Sequence, residues 1–191
     1  NPMTMGPIAL QNYYYEFKRQ QEEAMKNAYK KIQTVHNDYA QLSGRTYGNG
    51  LIDTYKLDDA EIAITVIGST AGTLKEIVDQ LRNEGIKAGI LRIRTFRPFP
   101  AQEIQTTLQN IKAVAVLDKS MSPGGLGSTL FTEIRNALYD QKQRPIIVNY
   151  IFGLGGRDSS PQNFRKIYDD LSQIAKTGQT QKTVTYFGLR D

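Results

Sequence analysis

A chain of 191 residues and 21.5 kDa can remove about 70% of its unfolded surface from water, so one well-filled domain plus an extension is within reach. Hydrophobic residues at 39%, charged residues at 23% and a mean hydropathy of -0.47 describe a soluble globular protein, and no apolar run is long enough to span a bilayer. The formal charge of +5 arises from 24 basic and 19 acidic residues spread along the chain, without the dense stripe that nucleic acid requires, and the absence of cysteine excludes disulfides, a thiolate nucleophile and cysteine-held iron-sulfur clusters.

The chain opens "NPMTMGPIAL", with neither an initiator methionine nor the apolar stretch of a signal peptide, so a piece of a longer polypeptide is the expectation. From about Asn12 to Ser43 the residues Tyr14, Phe17, Met25, Ala28, Ile32, Val35, Tyr39 and Leu42 recur by threes and fours, closed by Gly44. This predicts a long helix with one apolar face, lying partly on another domain or subunit. The single histidine, His36, sits on or beside that face as a packed or half-exposed ring; alone it makes no all-histidine metal site. "GRTYGNGLIDTYKLDDA" reads as a linker leading to a short edge strand near Leu51 to Tyr55, so residues 1–49 form an extended segment, helix and linker ahead of an α/β domain over residues 50–191.

From Asp59 onward, strand and helix patterns alternate. "AEIAITVIGS" is the continuous apolar run of a covered parallel strand, "AGTLKEIVDQLRNEG" a helix ending at Gly85, and "IKAGILRIRTF" the next strand. A helix from Pro100 to Gln109, the strand "IKAVAVLDKS", a helix from about Ser128 to Tyr139, the strand "PIIVNYIFG", a helix from Pro161 to Lys176 and a short terminal strand "TVTYFG" follow. The expected fold is a three-layer α/β/α domain with a mainly parallel sheet.

Ligands of such sheets collect at the carboxyl ends of the strands, where four loops fall. In "GSTAGT", Gly68, Ser69, Thr70, Gly72 and Thr73 either offer backbone N–H groups to an anion or form a tight turn with Ser69 or Thr70 as helix cap. "SPGGLGST" lacks the third glycine of a dinucleotide fingerprint and reads as a flexible turn plus cap. In "GLGGRDSSP", Gly155 and Gly156 precede Arg157 and Asp158; Arg157 binds an anion or pairs with Asp158 to brace the loop, and Ser160 leads into Pro161 at the first helical position. The fourth loop, "LRIRTFRPFP", is unusual because alternation puts Arg92 and Arg94 on one face of a strand, with Arg97 just beyond. An unpaired buried guanidinium costs several kcal/mol, so these arginines lie at the rim or beside carboxylates. Their partners are carboxylates of the same chain, a neighbouring subunit, or an anionic ligand. No Ser-His-Asp or Cys-His set and no motif-positioned carboxylate pair accompanies them.

Together, "NPMTMGPIALQNYYYEFKRQ", "GRTYG", "AITVIGSTAGTLKEIVDQLRNEGIKAGILRIRTFRPFP", "VAVLDKS" and "YIFGLGGRD" resemble the C-terminal half of the alpha subunit of pyruvate:ferredoxin oxidoreductase, over essentially the whole chain and most specifically at Gly68 to Thr73, Arg94 to Pro100 and Gly153 to Asp158. The resemblance implies a fold like the C-terminal domain of transketolase, with about five strands and one antiparallel edge. It implies a cytoplasmic enzyme complex of anaerobic metabolism that converts pyruvate, CoA and oxidised ferredoxin to acetyl-CoA, carbon dioxide and reduced ferredoxin. Thiamine diphosphate, Mg2+ and [4Fe-4S] clusters serve that complex, and its other parts are a thiamine-binding beta, a gamma and a ferredoxin-like delta subunit. No GDG segment with its following asparagine, no pyrimidine-activating acidic motif and no cysteine occurs here. The expectation is therefore a docking scaffold that binds no cofactor and is inactive alone, with the glycine loops and arginines as contact candidates. The corresponding domain of a 2-oxoglutarate or other 2-oxoacid oxidoreductase is one alternative, and a free-standing CoA- or nucleotide-binding module is another.

Overall fold

The computed structural model describes residue 6 and residues 8–190. Its elements in chain order are α1 (Tyr14–Ser43), β1 (Ile52–Tyr55), β2 (Ile62–Ile67), α2 (Thr70–Asn83), β3 (Ala88–Ile93), α3 (Ala101–Leu108), β4 (Ala113–Asp118), α4 (Thr129–Leu138), β5 (Ile146–Ile151), α5 (Pro161–Thr177) and β6 (Val184–Tyr186). Residues 1–5 and 7, the start of the expected N-terminal segment, lie outside the described residues.

One sheet has the order β1-β3-β2-β4-β5-β6, with β1 antiparallel to β3 and every other pair parallel. The sheet has six strands against the about five that the resemblance implies, and the predicted terminal strand "TVTYFG" pairs its residues Val184 to Tyr186 with β5. β2, β3 and β4 are almost wholly buried, as their unbroken apolar runs require of strands covered on both faces. The alternation of side chains splits the core in two. Ile62, Ile64, Val66, Ile90, Ala115 and Val148 face α2 and α5, whereas Ala63, Leu91, Ile93, Val114 and Val116 face α3 and α4.

The hand of the crossovers follows from this assignment. β2 to β3 moves one way along the sheet with α2 on the first face. β3 to β4 and β4 to β5 move the other way with α3 and α4 on the second, which is the same hand. β5 to β6 continues in that direction, yet α5 lies on the first face, so the last crossover has the opposite hand to the other three.

α1 stands apart. At 30 residues it is about 45 Å long. Gly44 closes it in the left-handed conformation (φ 67°), its N–H donating to the Ala40 carbonyl, as the sequence predicts. None of its residues is buried. Met25, Ala28, Tyr29, Ile32, His36 and Ala40 are half-buried, while Tyr14, Phe17, Val35, Tyr39 and Leu42 of the expected apolar face are exposed. Two polar contacts fasten it to the body: the Tyr29 hydroxyl donates to Glu103 of α3, and His36 Nε2 donates to the Gly48 carbonyl at 3.1 Å. Burial and the neighbouring Glu103 carboxylate push the Tyr29 phenol well above its ordinary pKa.

A candidate docking rim at the strand ends

β2 is flanked by β3 on one side and β4 on the other, so the chain reverses its direction of travel across the sheet there. The carboxyl ends of β2 and β4 therefore flank the topological switch point, the usual place for a site in an open α/β sheet. The loop after β2 carries Gly68 with φ 86° and Ser69 at the N-cap of α2. The expected side-chain cap is absent: Ser69 has helical backbone angles and accepts no capping bond, and Thr70 is buried at the first helical position. Gly72 and Thr73 are exposed on the first turn. No side-chain hydroxyl caps the helix here.

The loop after β4 is organised from a distance. Asn149, fully buried on β5, accepts from the Ser128 backbone N–H at 2.9 Å, and its amide donates to the Val116 carbonyl and to Ser128 Oγ, both at 3.0 Å. Asp118 accepts from the Leu130 N–H at 2.9 Å. The cap of α4 thus comes from the end of β4 and not from Ser128, whose hydroxyl is committed to Asn149. Gly127 is required: it has φ 130°, and a Cβ there would stand 2.5 Å from the Phe131 ring and 3.1 Å from Asn149 Oδ1. Periodicity does not single out Asn149 or Asp118; the one signal for Asn149 is a polar residue inside the apolar run "PIIVNYIFG".

The loop after β5 turns through Gly153, Gly155 and Gly156, all at positive φ. A Cβ at Gly155 or Gly156 would meet open space, so these glycines serve the turn and not a close approach. Arg157 does brace the loop, but its partner is the Gly188 carbonyl at 2.7 Å, not the exposed Asp158. Ser160 accepts from the Asn163 N–H at 3.3 Å with Pro161 at the first helical position, as expected.

The three arginines separate. Arg92 stands opposite Asp53 across the β1·β3 pairing, an opposite-charge register position. Exposed Arg94 lies over the Tyr47 ring at 5.4 Å. Arg97 pairs with Glu133 of α4 and stacks on Phe96 at 4.3 Å, beside a cis Arg97–Pro98 peptide. Its carboxylate is therefore supplied from within the chain.

Between these loops the rim is apolar. Ile67 at the end of β2 is 44% exposed, Leu126 at the tip of the β4 loop 86%, and Met121 and Leu154 are exposed on the β4 and β5 loops. Among the described residues no three His, Asp or Glu side chains converge to hold a metal ion, and the sequence has no cysteine. The chain therefore offers no cysteine ligand to an iron-sulfur cluster. No described helix is long and apolar enough to cross a membrane.

Several known proteins are similar to this chain. Pyruvate synthase subunit PorA of Thermotoga maritima is 39% identical over 191 residues, covering 100% of this chain and 47% of that protein. Ketoisovalerate oxidoreductase subunit VorA of Pyrococcus horikoshii is 38% identical over 190 residues, covering 100% of this chain and 48% of that protein. The chain thus spans about half the length of these relatives. Among solved structures, 2-oxoglutarate:ferredoxin oxidoreductase from Magnetococcus marinus matches with a TM-score of 0.47 and 17% identity over 68% of this chain and 20% of that one. The profile of pyruvate:ferredoxin oxidoreductase core domain II matches residues 60–164, the span from just before β2 into α5, and the chain belongs to that family.

Proposed function

We propose that this chain is the non-catalytic docking part of a thiamine diphosphate-dependent 2-oxoacid:ferredoxin oxidoreductase, with pyruvate as the 2-oxoacid. In that reading the parent enzyme converts pyruvate, CoA and oxidised ferredoxin to acetyl-CoA, carbon dioxide and reduced ferredoxin. The thiamine-binding beta, gamma and ferredoxin-like delta components supply the cofactor, the clusters and the electron exit, in a cytoplasmic assembly. The observation that carries the reading is the exposure of Ile67, Met121, Leu126 and Leu154 at the strand ends, together with exposed Arg94 and the unburied face of α1. A mixed apolar and guanidinium surface suits a subunit contact.

The loops of Gly68 to Thr73 and of Gly155 to Asp158, with Arg92, Arg94 and Arg97, are proposed as parts or supports of that contact. Arg94 is its most available cation, because Arg97 is already paired with Glu133. A branched-chain 2-oxoacid is the second reading, favoured by the near-equal identity to the ketoisovalerate subunit, 38% against 39%.

The test is activity with and without partners. The purified chain, given pyruvate, CoA, thiamine diphosphate, Mg2+ and a low-potential dye, is expected to show no turnover, and the Leu126→Asp chain is expected to co-purify poorly with the remaining subunits. Turnover by the chain alone, or tight calorimetric binding of CoA, ADP or thiamine diphosphate to it, overturns the docking reading in favour of a self-sufficient enzyme or a binding module.

A further inference from the structure

The outermost strands of the sheet are covered unequally on their two faces. Because α5 lies on the first face, the second face of β5 and β6 has only α4 beside it, and Ile147 and Val184 there stay half-buried. A groove of about 310 Å³ opens at this place, walled by Leu138 at the end of α4 and by Pro145 and Ile147. The charged side chains that line it are Arg135 and Arg144, and no carboxylate lines it. Neither arginine is paired with an acidic group among the described residues. Glu133, the acidic residue of α4, is taken up by Arg97, and the next charges along the chain, Asp140 and Lys142, offset each other. Arg144 gives one N–H to the Tyr139 carbonyl and Arg135 rests over the Phe131 ring at 5.3 Å, so both guanidinium groups keep donors for a further oxygen.

A free sheet edge begins at the same place. β6 is an outermost strand. The Asn149 N–H donates to the Thr183 carbonyl and the Phe187 N–H to the Ile151 carbonyl, both at 2.8 Å, so Val184 and Tyr186 between them turn their backbone N–H and C=O groups outward. Nothing among the described residues pairs with those groups. β6 is short, but its sequence Val-Thr-Tyr carries neither the proline nor the charge that discourages pairing. We infer that an extended acidic segment of a partner protein adds to the sheet beside β6, its main chain bonding to Val184 and Tyr186 and a carboxylate entering the groove of Arg135 and Arg144. On the first face of this edge Lys182 and Asp170 line one hollow together, so selection for acid comes from the arginine side. The groove lies at the amino-terminal ends of β5 and β6, whereas Ile67 and Leu126 stand at the carboxyl ends, so this contact is separate from the docking rim and does not rest on it. Because both arginines are exposed, the electrostatic part of the recognition is salt-sensitive.

The experiment labels the chain with 15N and follows the backbone amides of Val184 and Tyr186, with that of Leu126 as a reference, during titration with three blocked pentapeptides. These are Glu-Thr-Glu-Thr-Glu, Lys-Thr-Lys-Thr-Lys, and the acidic peptide methylated at every backbone nitrogen. The acidic peptide is expected to move the Val184 and Tyr186 amides downfield and slow their hydrogen exchange while leaving Leu126 in place, and the basic and methylated peptides to do neither. The doubly reversed variant Arg135→Glu with Arg144→Glu is expected to lose about fivefold to tenfold in affinity for the acidic peptide. If that variant unfolds, the basic and methylated peptides on the unaltered chain still decide. Equal shifts from the acidic and basic peptides, equal shifts from the methylated peptide or from acetate alone, or no shift at ~10 mM peptide would each overturn the proposal. So would unchanged affinity in a folded double variant, and so would protection of Val184 and Tyr186 that rises with chain concentration in the absence of peptide, which would make a second copy the occupant of the edge.

Discussion

Helix α5 turns Phe164, Ile167, Tyr168, Leu171 and Ile174 into the core along 17 residues, whereas α1 buries nothing along 30. The two helices are similar in kind, both amphipathic and both closed by a glycine at positive φ. They differ in what their apolar faces meet. α5 lies over β2 and β4 and completes a buried cluster; α1 touches the body through Tyr29, His36 and a few half-buried residues. That difference is what the proposed docking role of α1 rests on.

The widest gap between the two helices should appear on truncating one phenylalanine in each. Phe164→Ala in α5 is expected to cost about 3–5 kcal/mol in urea unfolding, because Phe164 packs edge to face on Phe152 inside the core. Phe17→Ala in α1 should stay within about 0.5 kcal/mol. Comparable losses would mean that α1 is part of the folding unit. Next in size is Asn149→Leu, which orphans the buried Ser128 N–H and hydroxyl and should cost about 1–3 kcal/mol. Asp118→Ala removes the remote cap of α4 and is expected to cost about 1 kcal/mol, seen as faster hydrogen exchange at Leu130. Arg97→Ala should cost less than about 1 kcal/mol, since its pair with Glu133 is largely exposed. A larger fall in affinity for partner subunits than in stability would then assign Arg97 a contact beyond Glu133.

The smallest effect is one of pH. The Arg165 guanidinium, hydrogen-bonded to both carboxylate oxygens of Glu84 at 2.8 and 2.6 Å, holds the Glu84 carboxyl below its ordinary 4.5. A depressed carboxylate stabilises the fold above its unfolded pKa, and that contribution disappears as pH falls below 4.5 through the lowered value. Arg165→Gln should therefore flatten the acid side of the stability profile in that window and leave neutral pH nearly unchanged. An unaltered slope would show that the pair is too well solvated to matter.

The parallel body was legible because covered strands write themselves as unbroken apolar runs and helices between them by threes and fours; "AITVIG" and "AVAVLD" could be little else. Local caps were legible too, Gly44 by its place after the last periodic residue and Ser160 by the proline that follows. Hidden from a one-dimensional reading were the bonds that bridge distance. Asp118 reaches Leu130 twelve positions on, Asn149 reaches Ser128 twenty-one positions back, and Arg97 finds Glu133 on a helix beyond the next strand. Each needs the sheet assembled before its partner exists. The arginine-rich strand end posed the right question, but the residue types alone did not tell an internal carboxylate from a foreign one.

The reversed crossover leading to β6 gives the carboxyl-terminal segment a special status. α5 seals strands made near the beginning of the sheet, so nascent polypeptide emerging only as far as Ile151 would leave Ile64, Val66 and Leu74 wet on one flank. Truncation there should yield a sticky, chaperone-dependent intermediate, whereas cutting after Lys176 should already restore a closed flank and lose only the short outer strand.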